Sequence, residues 1–447
     1  MRPELLRRYA APVPRYTSYP TAPHFTSAVD PSRYGAWLAA LEDDTPLSLY
    51  VHIPFCNELC WYCGCTTKIT QQKAPIARYL ESLSREIDAV AGRIKTRHRV
   101  SHIHWGGGSP SILSPDQIRA LAGQLKERFA FAEDAEFAVE IDPRGLDEAR
   151  VAAFAEAGVN RVSIGVQDFD MAVQKAINRL QSVEQTAWVV NTFRAHGIAA
   201  INVDLVYGLP YQTLETLDTT MDHVLAMRPD RIALFGYAHL PGRIKHQRLI
   251  PDNSLPGTEA RLALATRAAE RLTQGGFVTV GLDHYALPHD PLAGGTVRRN
   301  FQGYTTDTAA ALIGLGASSI GRLPQGYVQN TPAIGEYERR VLDDALATVR
   351  GHEMSAEDAA RGLVIERLMC DFTFPAEELR ARFGEIAEPI IAEADALCAA
   401  ESDEMIAPRG AGAGFEVTDK GRIFVRTICA KFDTYLGKGS AQHSAGV

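Results

Sequence analysis

No stretch of the chain reaches the roughly 20 consecutive apolar residues that a membrane-spanning helix needs, so insertion into a bilayer is not expected. Runs of Lys and Arg are missing too, and 54 acidic residues against 46 basic ones leave a net charge of −8. A nucleic-acid partner, which a basic stripe would track, is therefore not expected. The opening residues Met1 to Arg7 carry charge but no apolar signal core. That points to the cytoplasm, where thiols stay reduced and no disulfide framework forms. There is no second C-x2-C arm and no His at fixed ligand spacing, which removes the usual makings of a structural zinc site. Nor is there an internal repeat beyond an alternation of strand and helix patterns.

What is present suits a large globular enzyme: 447 residues with 46% hydrophobic content are enough for one catalytic domain and a smaller one. Short apolar strand patterns lie at Ser48–Ile53, His102–Trp105, Glu136–Ile141, Arg161–Val166, Ala199–Val206 and Arg231–Phe235. Between them Ile76–Ile94, Pro115–Phe129, Asp147–Ala157, Val183–His196 and Leu214–Met227 place apolar residues at helical spacing. Six β-then-α units predict a parallel sheet with right-handed crossovers, an α/β partial (β/α)6 TIM-like barrel whose chemistry sits at the C-terminal ends of its strands. The expected division is an N-terminal arm at 1–35, the barrel at 36–299 and a mostly helical C-terminal cap at 300–447. In the cap, Gly314 to Gly326 reads as Gly-rich turns, Glu404–Val417 reads as a hairpin around a Gly-rich turn, and the Gly/Ser/Ala tail Lys438–Val447 reads as disordered. The absent basic stripe makes the cap a lid on the barrel and not a DNA reader.

Four of the seven cysteines fall in one ten-residue run, Cys56-Asn57-Glu58-Leu59-Cys60-Trp61-Tyr62-Cys63-Gly64-Cys65, directly after the first strand. Thiolates are the ligands of iron–sulfur clusters, and C-x3-C-x2-C supplies three from one loop, leaving one iron open. Cys370, Cys398 and Cys429 stand singly in apolar stretches and read as buried structural thiols. After the second strand comes His104-Trp105-Gly106-Gly107-Gly108-Ser109-Pro110, whose glycines permit close backbone approach to a ligand. Polar residues also interrupt later strand ends: Glu140, Gln167 and Asp204. A carboxylate buried there costs several kcal/mol unless paired, so each needs a partner or a ligand.

The cysteine spacing after a first strand, with Tyr62 before the third thiol and a glycine motif on the second strand, resembles the radical S-adenosylmethionine (SAM) enzymes. That resemblance implies Cys56, Cys60 and Cys63 as ligands of a [4Fe–4S] cluster whose open iron binds SAM. Within the family the chain is similar, nearly end to end, to the oxygen-independent coproporphyrinogen III oxidases. The similarity runs through Arg15-Tyr16-Thr17-Ser18-Tyr19-Pro20-Thr21, Gly165-Val166-Gln167-Asp168-Phe169, Asn178-Arg179-Leu180-Gln181, Asp204 to Pro210, Tyr237 to Pro241, Asn300 to Thr306 and Phe432 to Leu436.

This second resemblance implies two SAM molecules, the cluster-bound one touching Tyr50, Gly107, Glu140 and Ile320. The other would touch Tyr62, Gly108, Ser109, Gln167, Arg179, Asp204 and Ala238, with Ser109 standing where the family usually has Thr. It implies coproporphyrinogen III as substrate, a low-potential electron donor of flavodoxin or ferredoxin type, and a monomer. Cys65, the fourth thiol, is implied as catalytic, because related haem-carrying proteins lack it; a haem-binding or haem-delivery protein is the alternative. The basic stretch Arg243, Lys245, His246 and Arg248 is a candidate for substrate carboxylates, set against a solvated surface.

Overall fold

The computed structural model describes residues 8, 9, 11–343 and 346–438. The six expected strands are present: β1 (Leu47–Ile53), β2 (Arg99–Gly107), β3 (Ala130–Ile141), β4 (Arg161–Gln167), β5 (Ala200–Tyr207) and β6 (Arg231–Gly236). They pair in parallel in chain order. The crossovers α1 (Lys73–Ala91), α2 (Pro115–Arg128), α3 (Glu148–Ala157), α4 (Val183–Ala195) and α5 (Leu214–Ala226) match the helical spacing, and α6 (Thr258–Gln274) follows β6.

Local chemistry fixes these boundaries. Ser114 and Gln117 form a reciprocal capping box at the start of α2, Asp147 caps α3, and Ser182 caps α4. Gly158 ends α3 in the left-handed conformation that glycine adopts without Cβ strain. Between sheet and helices lies one core that includes Leu49, Val51, Ile103, Trp105, Val139, Val162, Val203 and Ile232. Each such aliphatic side chain, once buried, contributes about 1.5–3 kcal/mol.

The sheet continues past the barrel on both sides. Beyond β6 lie β7 (Val278–Val280) and β8 (His284–Ala286). On the other side are β9 (Ala311–Leu315), β10 (Ile320–Leu323), β11 (Gly326–Asn330) and β12 (Thr348–Glu353). The twelve strands run in the order β12-β11-β10-β9-β1-β2-β3-β4-β5-β6-β8-β7, and among the described residues β12 and β7 do not pair with each other, so the barrel is open along one side.

This corrects the expected division in two places. A boundary at 299/300 falls inside a hairpin, Arg298–Asn300 with Gly303–Thr305, and the glycine-rich stretch after it forms β-strands of the barrel sheet and not turns. A boundary at 35/36 falls inside the helix Pro31–Ala39, capped by Asp30.

The helical unit begins only at α7 (Ala356–Asp371), followed by α8 (Ala376–Phe383) and α9 (Ala387–Ala400). The expected hairpin is there, Ile406–Pro408 with Phe415–Val417. Tyr16 and Tyr19 of the arm are buried in that unit's core beside Val364, Leu368 and Phe432, and the Tyr16 hydroxyl donates to Asp433 (3.0 Å). Of the isolated cysteines Cys370 and Cys429 are buried, while Cys398 is half-buried. The expected signal-free start, Met1 to Arg7, and the tail after Lys438 lie outside the described residues. Among the described residues no helix is long and apolar enough to cross a membrane.

Candidate active site

The cysteine loop is clamped where it leaves and rejoins the barrel. Phe55–Cys56 pairs in parallel with Lys68–Ile69, the Lys68 amide donating to Pro54 (2.7 Å) and the Thr70 amide to Cys56 (3.0 Å). From the segment after β4, Asn178 donates to the Leu59 carbonyl (2.8 Å), and the Trp61 amide donates to Ile177 (2.8 Å). No cysteine of the loop is in a disulfide. Cys60 is the buried member, and its sulfur accepts from Arg144 (3.4 Å) and Arg179 (3.5 Å), both of which also pair with Asp142. Hydrogen bonding from Cys65, its amide 3.4 Å from the Cys63 sulfur, brings the Cys63 thiol down to about 6. Burial, then the nearby Cys63, pushes the Cys56 thiol up to about 12.

A connected polar layer lies beside this loop. The Tyr50 hydroxyl is 3.0 Å from His52 Nδ1, and its ring stacks on His104 at 5.9 Å. His104 Nε2 lies 3.1 Å from one Glu140 oxygen, and the Gly107 amide donates to the other at 3.1 Å. Burial opposes charge on Glu140, but these two partners outweigh it and hold its pKa below the usual value. His52, whose pKa burial lowers, reaches Ser318 (3.2 Å), two residues before Ile320. Tyr50, Gly107, Glu140 and Ile320 are thus brought to one side of the loop. The glycines serve the chain's own packing first: a Cβ on Gly106 would lie 2.6 Å from the Glu140 carboxylate, and one on Gly108 would lie 2.5 Å from the Phe55 carbonyl.

The residues expected at a second SAM fall into linked pairs. Gln247 donates to the carbonyls of both Tyr62 (3.0 Å) and Ala238 (3.1 Å). Arg179 donates to the Gly165 carbonyl (2.6 Å), next to Gln167, which has a left-handed backbone (φ 68°) at a bulge in β4. The Ser109 hydroxyl is engaged with Ser111 (2.6 Å) and accepts from the Asp142 amide (3.2 Å), so it braces the glycine turn. Asp204 lies deeper, lining with Glu140 a cavity of about 180 Å³ inside the barrel, and accepts from Ser163 and Asn202, each at 2.9 Å.

His52, His104, Asp142 and Arg144 belong to this layer and escaped the sequence reading. Strand alternation carried a signal for them: side chains two apart share a face. Tyr50 with His52, and His102 with His104, stand at that spacing, as do Glu140 and Asp142. The basic stretch is not a pocket: Arg243, Lys245 and Arg248 are exposed, and His246 is taken up by the Cys63 carbonyl (2.7 Å).

Residues 50–224 match the Radical SAM superfamily model. Along its whole length the chain is similar to oxygen-independent coproporphyrinogen III oxidases. That of Paracoccus denitrificans is 45% identical over 99% of this chain and 98% of its own, and that of Pseudomonas aeruginosa is 42% identical over 97% and 95%. The solved coproporphyrinogen III oxidase of Escherichia coli, described as a radical SAM enzyme, superposes with a TM-score of 0.89 at 38% identity, over 94% of this chain and 98% of that one. The chain belongs to the oxygen-independent coproporphyrinogen III oxidase family of radical SAM enzymes.

Membership implies a [4Fe–4S] cluster and SAM, and the cysteine loop fits them. Among the described residues no three Cys, His, Asp or Glu close around one point as the ligands of a single ion would. A cluster takes each thiolate on a separate iron, so spaced thiols are what it needs. Burial first, and then the nearby Cys63, holds the Cys56 thiol protonated, a cost that a positive core would relieve. Arg179 adds a buried Nε with no hydrogen-bond partner, a donor open to an incoming carboxylate.

Burial pushes Asp204 up to about 6, with the Glu140 charge adding to it. A carboxyl whose folded pKa is raised loses stability as pH climbs from its ordinary value near 4 through about 6. Asp204→Asn is therefore expected to raise the melting temperature of the ligand-free protein at pH 7–8, by roughly 2–3 kcal/mol of stability, and to leave it unchanged below pH 4. Melting curves across that window decide it, and equal curves at pH 8 would refute the assignment.

Proposed function

We propose that this enzyme decarboxylates coproporphyrinogen III without oxygen, converting two propionate side chains to vinyls and giving protoporphyrinogen IX in haem biosynthesis. Each propionate loses CO2, a proton and two electrons, so two SAM molecules are consumed for two propionates. The remaining electron of each step goes to an acceptor outside the chain, and a flavodoxin- or ferredoxin-type donor in the cytoplasm supplies the reducing one. The observation that carries this reading is the clamped three-thiol loop beside the Glu140 layer, in a chain similar end to end to oxidases of that name.

When bound, the cluster and SAM would supply the one-electron, hydrogen-abstracting chemistry that the propionate β-carbon requires. The chain's residues position and insulate. Cys56, Cys60 and Cys63 would hold the cluster, with Arg144 and Arg179 offsetting thiolate charge at Cys60. Tyr50, Gly107, Glu140 and Ile320 would hold the cluster-bound SAM, Glu140 accepting from its ammonium. Tyr62, Gly108, Ser109, Gln167, Arg179, Asp204 and Ala238 would hold the second, with Arg179 Nε donating to a carboxylate and Asp204 accepting from ribose hydroxyls. Cys65, exposed at the end of the loop, stands nearest in sequence to the cluster without being needed as its ligand.

The test is anaerobic reconstitution with iron and sulfide, then reductant, SAM and coproporphyrinogen III, following vinyl product, CO2 and deoxyadenosine. Two deoxyadenosines per protoporphyrinogen support the reading. Tight stoichiometric haem binding with no CO2 release would replace it with the haem carrier. Cys65→Ser is expected to keep the cluster's visible absorbance and to lower vinyl formation by about 10-fold or more. Wild-type turnover in that variant would remove Cys65 from the chemistry.

A further inference from the structure

Beyond the ends of β5 and β6, guanidinium groups from distant parts of the chain meet at one place. Arg15 of the arm donates to the Gly236 carbonyl at 3.1 Å. Arg261, from α6, lies over the two strand ends. A Cβ on Gly208 would sit 2.8 Å from its Nη1, one on Gly236 would sit 3.4 Å from its Nη2, and its guanidinium is 5.9 Å from the Tyr207 ring centre. Arg299, from the hairpin after β8, donates to the Arg15 carbonyl at 3.3 Å and covers the Tyr304 ring at 4.4 Å. The bare glycines at both strand ends leave the room that the Arg261 guanidinium occupies.

Charge around this cluster is one-sided. Among the described residues Asp283 is the one carboxylate within ion-pairing distance of Arg15, Arg261 or Arg299, at 3.8 Å from Arg299. The Arg299 side chain is only 5% exposed, yet its Nε and Nη1 have no hydrogen-bond partner. Burial lowers the Arg261 pKa, and burial followed by the Arg15 charge brings Arg426, a further guanidinium on the same side, down to about 10. A buried Arg299 with open donors, a partly buried Arg261 and an exposed Arg15, with one acid in ion-pairing range, form a site for anions, and planar guanidinium suits carboxylate.

We propose that Arg15, Arg261 and Arg299 bind carboxylates of the substrate, those of the two propionates that are not processed. The inference rests on the decarboxylase reading above. Position supports it: Gly236 stands two residues before Ala238, so an anchor here holds one edge of the macrocycle at the barrel mouth while another edge faces the SAM sites. The arm and the hairpin each contribute a cation, so the cluster is complete only with the arm folded against the barrel.

The test uses Arg15→Gln, whose side chain is exposed and carries little folding load, together with Arg261→Gln and Arg261→Lys in the reconstituted full chain. Affinity is read by fluorescence with coproporphyrin III, a stable tetracarboxylate, and with its tetramethyl ester. Each Gln variant is expected to raise KM for coproporphyrinogen III and the Kd for coproporphyrin III by roughly tenfold or more, with kcat within about threefold. Arg261→Lys restores part of the affinity, and the ester binds every form equally weakly. If the wild type makes vinyl product and the Gln variants keep wild-type KM and Kd, the anchor is refuted and decarboxylation stands. If the wild type makes none, the reading beneath it fails and the anchor falls with it.

Discussion

Cys60→Ala is expected to abolish SAM cleavage, with deoxyadenosine falling to background and the iron content of the reconstituted protein falling with it. Of the three loop thiols Cys60 is the one the chain has invested most in. It is buried, and its sulfur is the acceptor for Arg144 at 3.4 Å and Arg179 at 3.5 Å. With alanine there, those two guanidinium groups keep only Asp142, Glu58 and backbone acceptors, and a cluster is left with two protein ligands where the loop offers three. The loop also loses the sulfur that accepts from both Arg144 and Arg179, which leaves Asp142 to hold them together. Melting temperature of the unreconstituted protein separates the two effects, because a folded but iron-free variant places the defect in ligation. Deoxyadenosine formed at a wild-type rate would refute the cluster assignment. Cys370→Ala is the contrasting case, a thiol buried among Val280, Ala286 and Tyr304 and no part of the loop, and should keep SAM cleavage.

The barrel was legible because each of its units states its own boundaries. Apolar strand runs, helical spacing in the crossovers, and caps such as Ser114 and Asp147 are local signals, and they agree with the global arrangement. The cysteine loop was legible for the same reason, since its four thiols are neighbours in sequence. What stayed hidden depends on distant partners. Arg144 stood in plain view beside Glu140, but only the fold brings it and Arg179 to one sulfur. The glycines from Gly314 to Gly326 read as turns because glycine usually marks them. In the structure Gly314 lets β10 approach, since a Cβ there would lie 2.8 Å from the Ile320 backbone. The arginine cluster draws on residues 15, 261, 299 and 426, a combination that no window of sequence contains.

Gly107→Ala is expected to cost about 3 kcal/mol or more of stability and to weaken SAM binding by at least about tenfold. Two independent effects add. Gly107 has φ 102°, a conformation that an L side chain adopts only with strain. The new Cβ would also fall 2.2 Å from the His52 ring, a buried side chain held by Tyr50, Ser318 and the Thr66 carbonyl. Neither partner can yield cheaply: moving His52 disturbs Tyr50, and rotating the Gly107 peptide withdraws its amide from Glu140 at 3.1 Å. Relief of the clash is therefore taken from the groups proposed to hold the cluster-bound SAM. Gly123→Ala in α2 is the opposite case, with nothing within 4 Å of the added methyl. There alanine should stabilise by about 0.5–1 kcal/mol, since it removes only the entropic cost of a helical glycine. Urea unfolding of the two variants side by side, with SAM affinity measured by calorimetry on reconstituted protein, checks both signs. A Gly107→Ala protein as stable as wild type would mean that His52 and the turn have slack that the geometry denies.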